Sequence, residues 1–297
     1  MTTVEWEELP EQTRTAVESH TGPLVKVEPV TAGHNHHLAA ILHSDTGAVF
    51  VKGLRTGHRH ARRQQLEAVV NGALTGITPR LQWQLPDVGG WHLLGFDALT
   101  GARHTDLRPG STDLPLVTDA LSALAQTRRP PGAVPDRAEH RWAEHGNPDQ
   151  VHVLRGQHLL HTDLRPDNIV IDAGRAWIID WAWPTLGAAW IDPARLTLWL
   201  IAEGHTTTAA ESWLRTLPAQ PVRASRRPRR LHRRGAPSVD RNRPTRPGAV
   251  EGPPGEGRTR VARPPQRQQL GPRHRPSTLV HALVWHRSAW QVPHRQV

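Results

Sequence analysis

Apolar and polar positions change rhythm twice along this chain. From Val25 to about Phe96 the apolar residues come in short runs bounded by turn formers, which predicts strands. Leu24–Val27, Leu38–Leu42 and Ala48–Lys52 are the first candidates, with Ser44–Gly47 as the hairpin turn joining the last two. Arg62–Ala73 reads instead as a helix, because Leu66, Val69, Val70 and Ala73 stand at i, i+3, i+4 and i+7. Trp91–Leu94 returns to strand, and Thr100–Gly101 marks a turn.

Beyond that turn the rhythm is helical over Leu114–Ala125, Arg137–His145, Leu196–Ala202 and Thr207–Leu217. A short strand, His158–Leu160, interrupts it, as does a hairpin running from Asn168–Ile171 through a turn at Asp172–Gly174 to Ala176–Ile179. At Pro218 the periodicity stops. The expected architecture is α+β: a strand-rich lobe over 1–98, a helical lobe over 99–220, and a separate segment, 221–297.

Composition sharpens that division. The net charge of +10 is unevenly spread: residues 221–297 hold 18 Arg, no Lys and 3 acids, whereas residues 1–220 hold 19 basic and 24 acidic residues. With 12 of the 27 prolines, residues 221–297 cannot bury enough apolar surface to offset their ordering entropy. The expectation is a disordered basic tail, apart from a local element near Leu279–Trp285. Such a tail could bind nucleic acid nonspecifically and salt-dependently, but it lacks the aromatic interleaving that reads bases. Its Arg/Pro/Gly/His content, and 35 Arg to 2 Lys overall, are what an out-of-frame reading of GC-rich coding DNA would give. The helical lobe is therefore expected to be truncated near Leu217. The acidic start and the absence of any long apolar run lead to the expectation of a cytoplasmic protein without a membrane span. Without cysteine there is no disulfide, thiol nucleophile or thiolate metal site.

The chemistry concentrates in His161–Asn168, an H-x-D-x-x-x-x-N spacing, followed by Asp180 at the end of an apolar strand. Phosphoryl transfer needs a carboxylate to orient an acceptor hydroxyl, and oxygen ligands to hold Mg²⁺ against nucleotide phosphates. Asp163 suits the first task as base, and Asn168 with Asp180 the second. His161 is expected to support the loop by hydrogen bonding, and Arg165 to neutralise charge on the transferred group. Lys52 ends a Val-Phe-Val strand, where its ammonium would meet phosphates and be held by Glu67 on the following helix. Thr31–Asn35 is a weak phosphate loop in which the N–H groups around Gly33 and Asn35 would cover a phosphate. Trp181, Trp183, Trp190, Trp199 and Trp213 are expected to pack the core. Asp192 would either cap a helix or brace the catalytic loop from below.

Together, Val49–Lys52, Glu67, His161–Asn168, Ile179–Trp181 and Trp190–Asp192 resemble the aminoglycoside phosphotransferase family, within the protein-kinase-like fold, over roughly residues 25–215. The resemblance implies a bilobal enzyme with ATP and Mg²⁺, Asp163 as catalytic base, Asn168 and Asp180 on the metal, and Lys52 on the nucleotide phosphates. Gly95–Gly101 would then be the hinge that holds adenine. Two positions depart from the family pattern: Thr162 stands where Gly is usual, and the family's later helices have no counterpart after Leu217. The expected activity is transfer of the γ-phosphate of ATP to a hydroxyl of a small molecule, aminoglycoside or other. The alternative is a catalytically impaired remnant that still binds nucleotide.

Overall fold

The computed structural model describes residues 4–30, 37–133 and 135–218. The expectations placed on residues 31–36, including Gly33 and Asn35, and on residues 221–297 lie outside the described residues.

An N-terminal helix, α1 (Glu11–Thr21), backs a five-stranded antiparallel sheet of β1 (Leu24–Pro29), β2 (Leu38–Ser44), β3 (Gly47–Arg55), β4 (Leu81–Val88) and β5 (Trp91–Asp97). Their spatial order is β1-β2-β3-β5-β4, and α2 (Ala61–Asn71) links β3 to β4. Because side chains alternate along a strand, Val49 and Val51 of β3 enter the core beneath α1 with Leu38, Leu42, Trp91 and Leu93. Lys52 therefore points to the opposite face, with Ala39 and Leu94 as its register partners. Gly95 on β5 is required by close packing, since a Cβ there would lie 2.2 Å from the Trp83 ring on β4.

The second half holds β6 (Arg103–His104), α3 (Asp113–Gln126), β7 (Asp136–Arg137), α4 (Ala138–Arg141), α5 (Pro148–His152), β8 (His158–Leu160), β9 (Ile169–Asp172), β10 (Arg175–Ile178), β11 (Thr185–Gly187), α6 (Ile191–Ala202) and α7 (Thr207–Leu214). Two small sheets form, β10-β9-β6 and β7-β11-β8. The helix expected over Arg137–His145 is broken. Asp136 and Arg137 pair in parallel with Thr185 and Leu186, so the α-helix is left with four residues before a 3-10 turn at Ala143–His145. Asn168 ends a 3-10 turn, Pro166–Asn168, rather than opening the strand. Helix α6 starts five residues before the expected Leu196, with Pro193 in its first turn, where a proline costs no helical hydrogen bond.

The second core joins Leu121, Leu159, Leu164, Ile169, Trp181, Leu196 and Leu214. Val70 of α2, with Leu74 and Ile77 just after it, packs into this core, while Gln64 of α2 donates to the His92 carbonyl of β5 at 2.9 Å, so α2 is anchored in both halves of the molecule. Among the described residues no helix is long and apolar enough to cross a membrane.

Candidate active site

The loop that follows β8 is held from below by one carboxylate. Asp192, fully buried in the first turn of α6, accepts the His161 N–H at 2.6 Å and the Thr162 N–H at 2.8 Å. Of the two roles anticipated for Asp192, capping is excluded, because Trp190 occupies the N-cap position; the bracing role is the one observed. Burial pushes the Asp192 carboxyl upward, and the backbone N–H groups of His161 and Thr162, with the charge of Arg195, pull it back. The buried His161 ring donates its Nε2–H to the Ile179 carbonyl at 2.9 Å. Its Nδ1 is thereby left as an acceptor for the Asp163 N–H at 3.2 Å. With both nitrogens committed to backbone groups, the ring supports the loop.

Asp163 is held on two sides. Asn168 Nδ2 donates to its carbonyl at 2.9 Å and to its carboxylate at 3.4 Å, and Arg195 of α6 donates to Oδ1 at 3.0 Å. Arg165 turns away to Asp167, at 2.7 Å on the surface. The cation in contact with Asp163 is thus Arg195, which the sequence reading did not single out. A signal was present: Arg195 follows Asp192 by three residues, which puts both on one face of α6.

Across the cleft, Lys52 Nζ lies 2.7 Å from Glu67 Oε2 and 3.2 Å from Asp180 Oδ1. Burial by itself would lower the Lys52 pKa, yet the two carboxylates outweigh it and raise it above its ordinary value. Glu67 also accepts the Trp181 N–H at 3.2 Å, which ties α2 to the residue after Asp180. The Ile179 N–H donates to the Asn168 carbonyl at 3.0 Å, so Asp180 emerges beside Asn168. Both Thr162 and Asp180 have a φ of 62°, the left-handed region that costs L residues energy. Two positions of the site, the residue before Asp163 and Asp180 itself, therefore carry backbone strain.

A narrow cleft lies among Lys52, Glu67, Asp180, Arg63 and Trp183. Trp183, expected in the core, is only half-buried. Its ring lies between the guanidiniums of Arg63, 2.9 Å from the ring centroid, and Arg141, at 4.7 Å. Arg141 in turn donates to the Thr162 hydroxyl at 2.7 Å and the Thr185 hydroxyl at 3.0 Å. No periodicity foretells this stack, because its three members come from α2, α4 and the loop after Asp180.

The donor set fits Mg²⁺. Asn168 spends its amide nitrogen on Asp163, which leaves an amide oxygen, and Asp180 contributes a carboxylate. These are hard oxygen ligands, and Mg²⁺ takes few of them from protein because it keeps waters and substrate phosphates. Among the described residues no group of three His, Cys, Asp or Glu side chains converges on a metal position.

The structure is similar to the crystal structure of choline kinase LicA from Streptococcus pneumoniae, with a TM-score of 0.53 and 13% identity over 72% of this chain and 83% of that one. LicA in complex with AMP matches at 0.50 and 15%, over 72% and 81%. The crystal structure of aminoglycoside phosphotransferase APH(4)-Ia matches at 0.45 and 13%, over 69% and 81%. No family model and no curated protein matches the sequence. At these identities the two LicA likenesses establish the fold alone. The chain has the α+β, protein-kinase-like fold.

Proposed function

We propose that this chain is an ATP-dependent small-molecule kinase of the aminoglycoside phosphotransferase type, acting in the cytoplasm. The observation that carries the reading is Lys52 bridging Glu67 and Asp180 at 2.7 and 3.2 Å, in the fold that also holds Asp163 and Asn168 on one braced loop. On this reading residues 1–98 hold the nucleotide, residues 99–220 hold the catalytic loop, and the acceptor meets Asp163 between them. LicA, whose fold this chain shares, has been solved in complex with AMP, which supports nucleotide binding by this chain.

Asp163 would accept the proton of the acceptor hydroxyl as its oxygen bonds to the γ-phosphorus and the bond to the β-phosphate oxygen breaks, leaving ADP. Arg195 fixes the carboxylate so that one oxygen faces the acceptor. Lys52 would meet the phosphates, and Glu67 keeps its ammonium aimed at them. Bound Mg²⁺, held by Asn168 and Asp180, would offset charge on the phosphates.

The test is ATP consumption by the purified chain with Mg²⁺ and a panel of hydroxyl compounds. Asp163→Asn is expected to lower turnover by about 10²–10⁴-fold while nucleotide still raises the melting temperature. Full turnover in that variant would remove Asp163 from its role.

A further inference from the structure

The acceptor side of the cleft carries a charge pattern that the motif does not anticipate. Next to the catalytic loop lies an open groove of about 690 Å³, lined by Arg62 of α2, Arg129, Arg137, His140 and Arg141, together with Pro135, Asp136, Gln157 and Leu186. Four guanidiniums and an imidazole face a single lining carboxylate, Asp136. Arg137 is matched by the buried Glu139 at 2.7 Å, and Arg129 donates to the Ala133 carbonyl at 2.8 Å. Arg62 and His140 stand exposed.

The groove reaches the chemistry through Arg141. Its guanidinium holds the hydroxyl of Thr162, the residue directly before Asp163, and stacks on Trp183. Trp183 carries Arg63 on its ring as well, and Arg195 sits on Asp163 itself. Like charges crowd here. Burial lowers the Arg141 pKa first; Asp136 and Asp163 oppose that, and Arg63 and Arg195 add to it.

We infer that the acceptor is an anionic alcohol, a hydroxyl compound bearing a carboxylate or phosphate, whose anion sits in the Arg62–Arg129–Arg141 groove while its hydroxyl meets Asp163. This rests on the kinase reading above and narrows it. A polycationic acceptor would meet Arg62, Arg129 and Arg141, besides the Arg137 that Glu139 already matches, with one lining carboxylate to set against them. An anion relieves the crowding and gains charge-assisted hydrogen bonds from arginine forks.

The experiment compares hydroxyl acceptors that differ in charge, with glucose and glycerol as the neutral counterparts of the two anions. Gluconate and glycerol 3-phosphate are the anionic arms and separate carboxylate from phosphate; glycerol and glucose are neutral, and choline and kanamycin cationic. At least one anionic arm is expected to exceed the cationic arms about 100-fold in kcat/KM, with an acceptor KM that rises with salt. Arg62→Glu and Arg129→Glu should each raise that KM about tenfold and leave the KM for ATP unchanged, whereas Lys26→Glu, an equal charge change on a distant surface pair, should leave both unchanged. Equal or better use of a cationic or neutral acceptor overturns the inference while sustaining the kinase reading. Should no acceptor be phosphorylated and Mg²⁺–ATP fail to raise the melting temperature, the kinase reading itself falls. Calorimetric titration of gluconate and glycerol 3-phosphate into the full chain decides the groove independently of turnover. Millimolar binding that is lost in Arg62→Glu sustains the anion site, and no binding of either overturns it.

Discussion

Arg195 donates to the carboxylate of Asp163 at 3.0 Å from the same helix whose Asp192, one turn earlier, holds the backbone of His161 and Thr162. A single helix therefore sets both the position of the loop and the orientation of the carboxylate it presents. Displacements of an ångström at a reacting centre cost on the order of 10²-fold in rate. Arg195→Ala is expected to lower kcat about 10- to 100-fold with the KM for ATP unchanged, and Arg195→Lys to recover part of the loss. Steady-state kinetics on the three proteins checks this, and an unaltered kcat in the alanine variant would show that Asp163 needs no such hold.

The Lys52–Glu67 pair makes a separate prediction about stability. Both side chains are buried, and removing one partner of a buried pair leaves an uncompensated charge, typically at a cost of about 3–5 kcal/mol. Asp180 shares the ammonium, so Lys52→Met strands two carboxylates. The single variant is expected to lose about 3 kcal/mol, and the double variant Lys52→Met/Glu67→Leu to regain most of it, since well-packed apolar replacements of buried pairs are often neutral. Urea denaturation of the four proteins of the cycle measures it; a double variant as unstable as the single one would mean that the pair holds more of the fold than its charges.

Much of this arrangement was legible in the residues, for reasons that are themselves physical. Ala48–Lys52, Arg62–Ala73 and the hairpin after Asn168 repeat their apolar positions at the periods of strand and helix, and each stands within a few residues of its expected place. Helix α1 was missed because it buries only Val17 and two threonines, so no apolar stripe marks it. Strand β4 was missed because Pro86 breaks its alternation, which a strand at the edge of the sheet tolerates. The Lys52–Glu67 contact could be anticipated from the rarity of lysine and a lone nearby glutamate. The Arg63–Trp183–Arg141 stack could not, since contacts between distant segments depend on how the chain has already folded.

Acid stability should depend on Asp113 at the start of α3. Its carboxylate takes two bonds from Arg103 at 2.6 Å each and one from the Asp106 N–H at 2.9 Å. The Arg103 hydrogen bonds hold its pKa below the ordinary 3.8, against the opposing effect of burial. A carboxyl depressed in the folded state stabilises the fold above its unfolded pKa and loses that stabilisation as pH falls through the folded value. The protein should accordingly lose stability from about pH 4 downward through this group. Asp113→Asn is expected to cost about 1 kcal/mol at pH 7, reduced by the exposure of Arg103, and to flatten the dependence below pH 4. Melting temperatures from pH 7 to pH 2.5 test it, and parallel curves for variant and wild type would rule it out.

Thr162 poses the sharpest test of the strain in the site. Its φ of 62° is costly for a β-branched residue, and its hydroxyl donates to the Trp183 carbonyl at 2.8 Å while accepting from Arg141 at 2.7 Å. Thr162→Ser keeps both bonds and should be near neutral. Thr162→Val keeps the strain and the shape but removes one of the two hydroxyls that accept from Arg141 and one of the two that donate to the Trp183 carbonyl, leaving Thr185 with both, an expected cost of about 1–2 kcal/mol. Thr162→Gly loses the same two bonds yet regains about 1–2 kcal/mol of backbone strain, so it should be milder than valine. The order Ser, Gly, Val is the reverse of what an ordinary strand or helix position gives for the last two. Denaturation midpoints of the three variants measure it directly. If glycine proves worse than valine, the left-handed turn at Thr162 is not strained, and the hydroxyl contacts alone explain why threonine serves there.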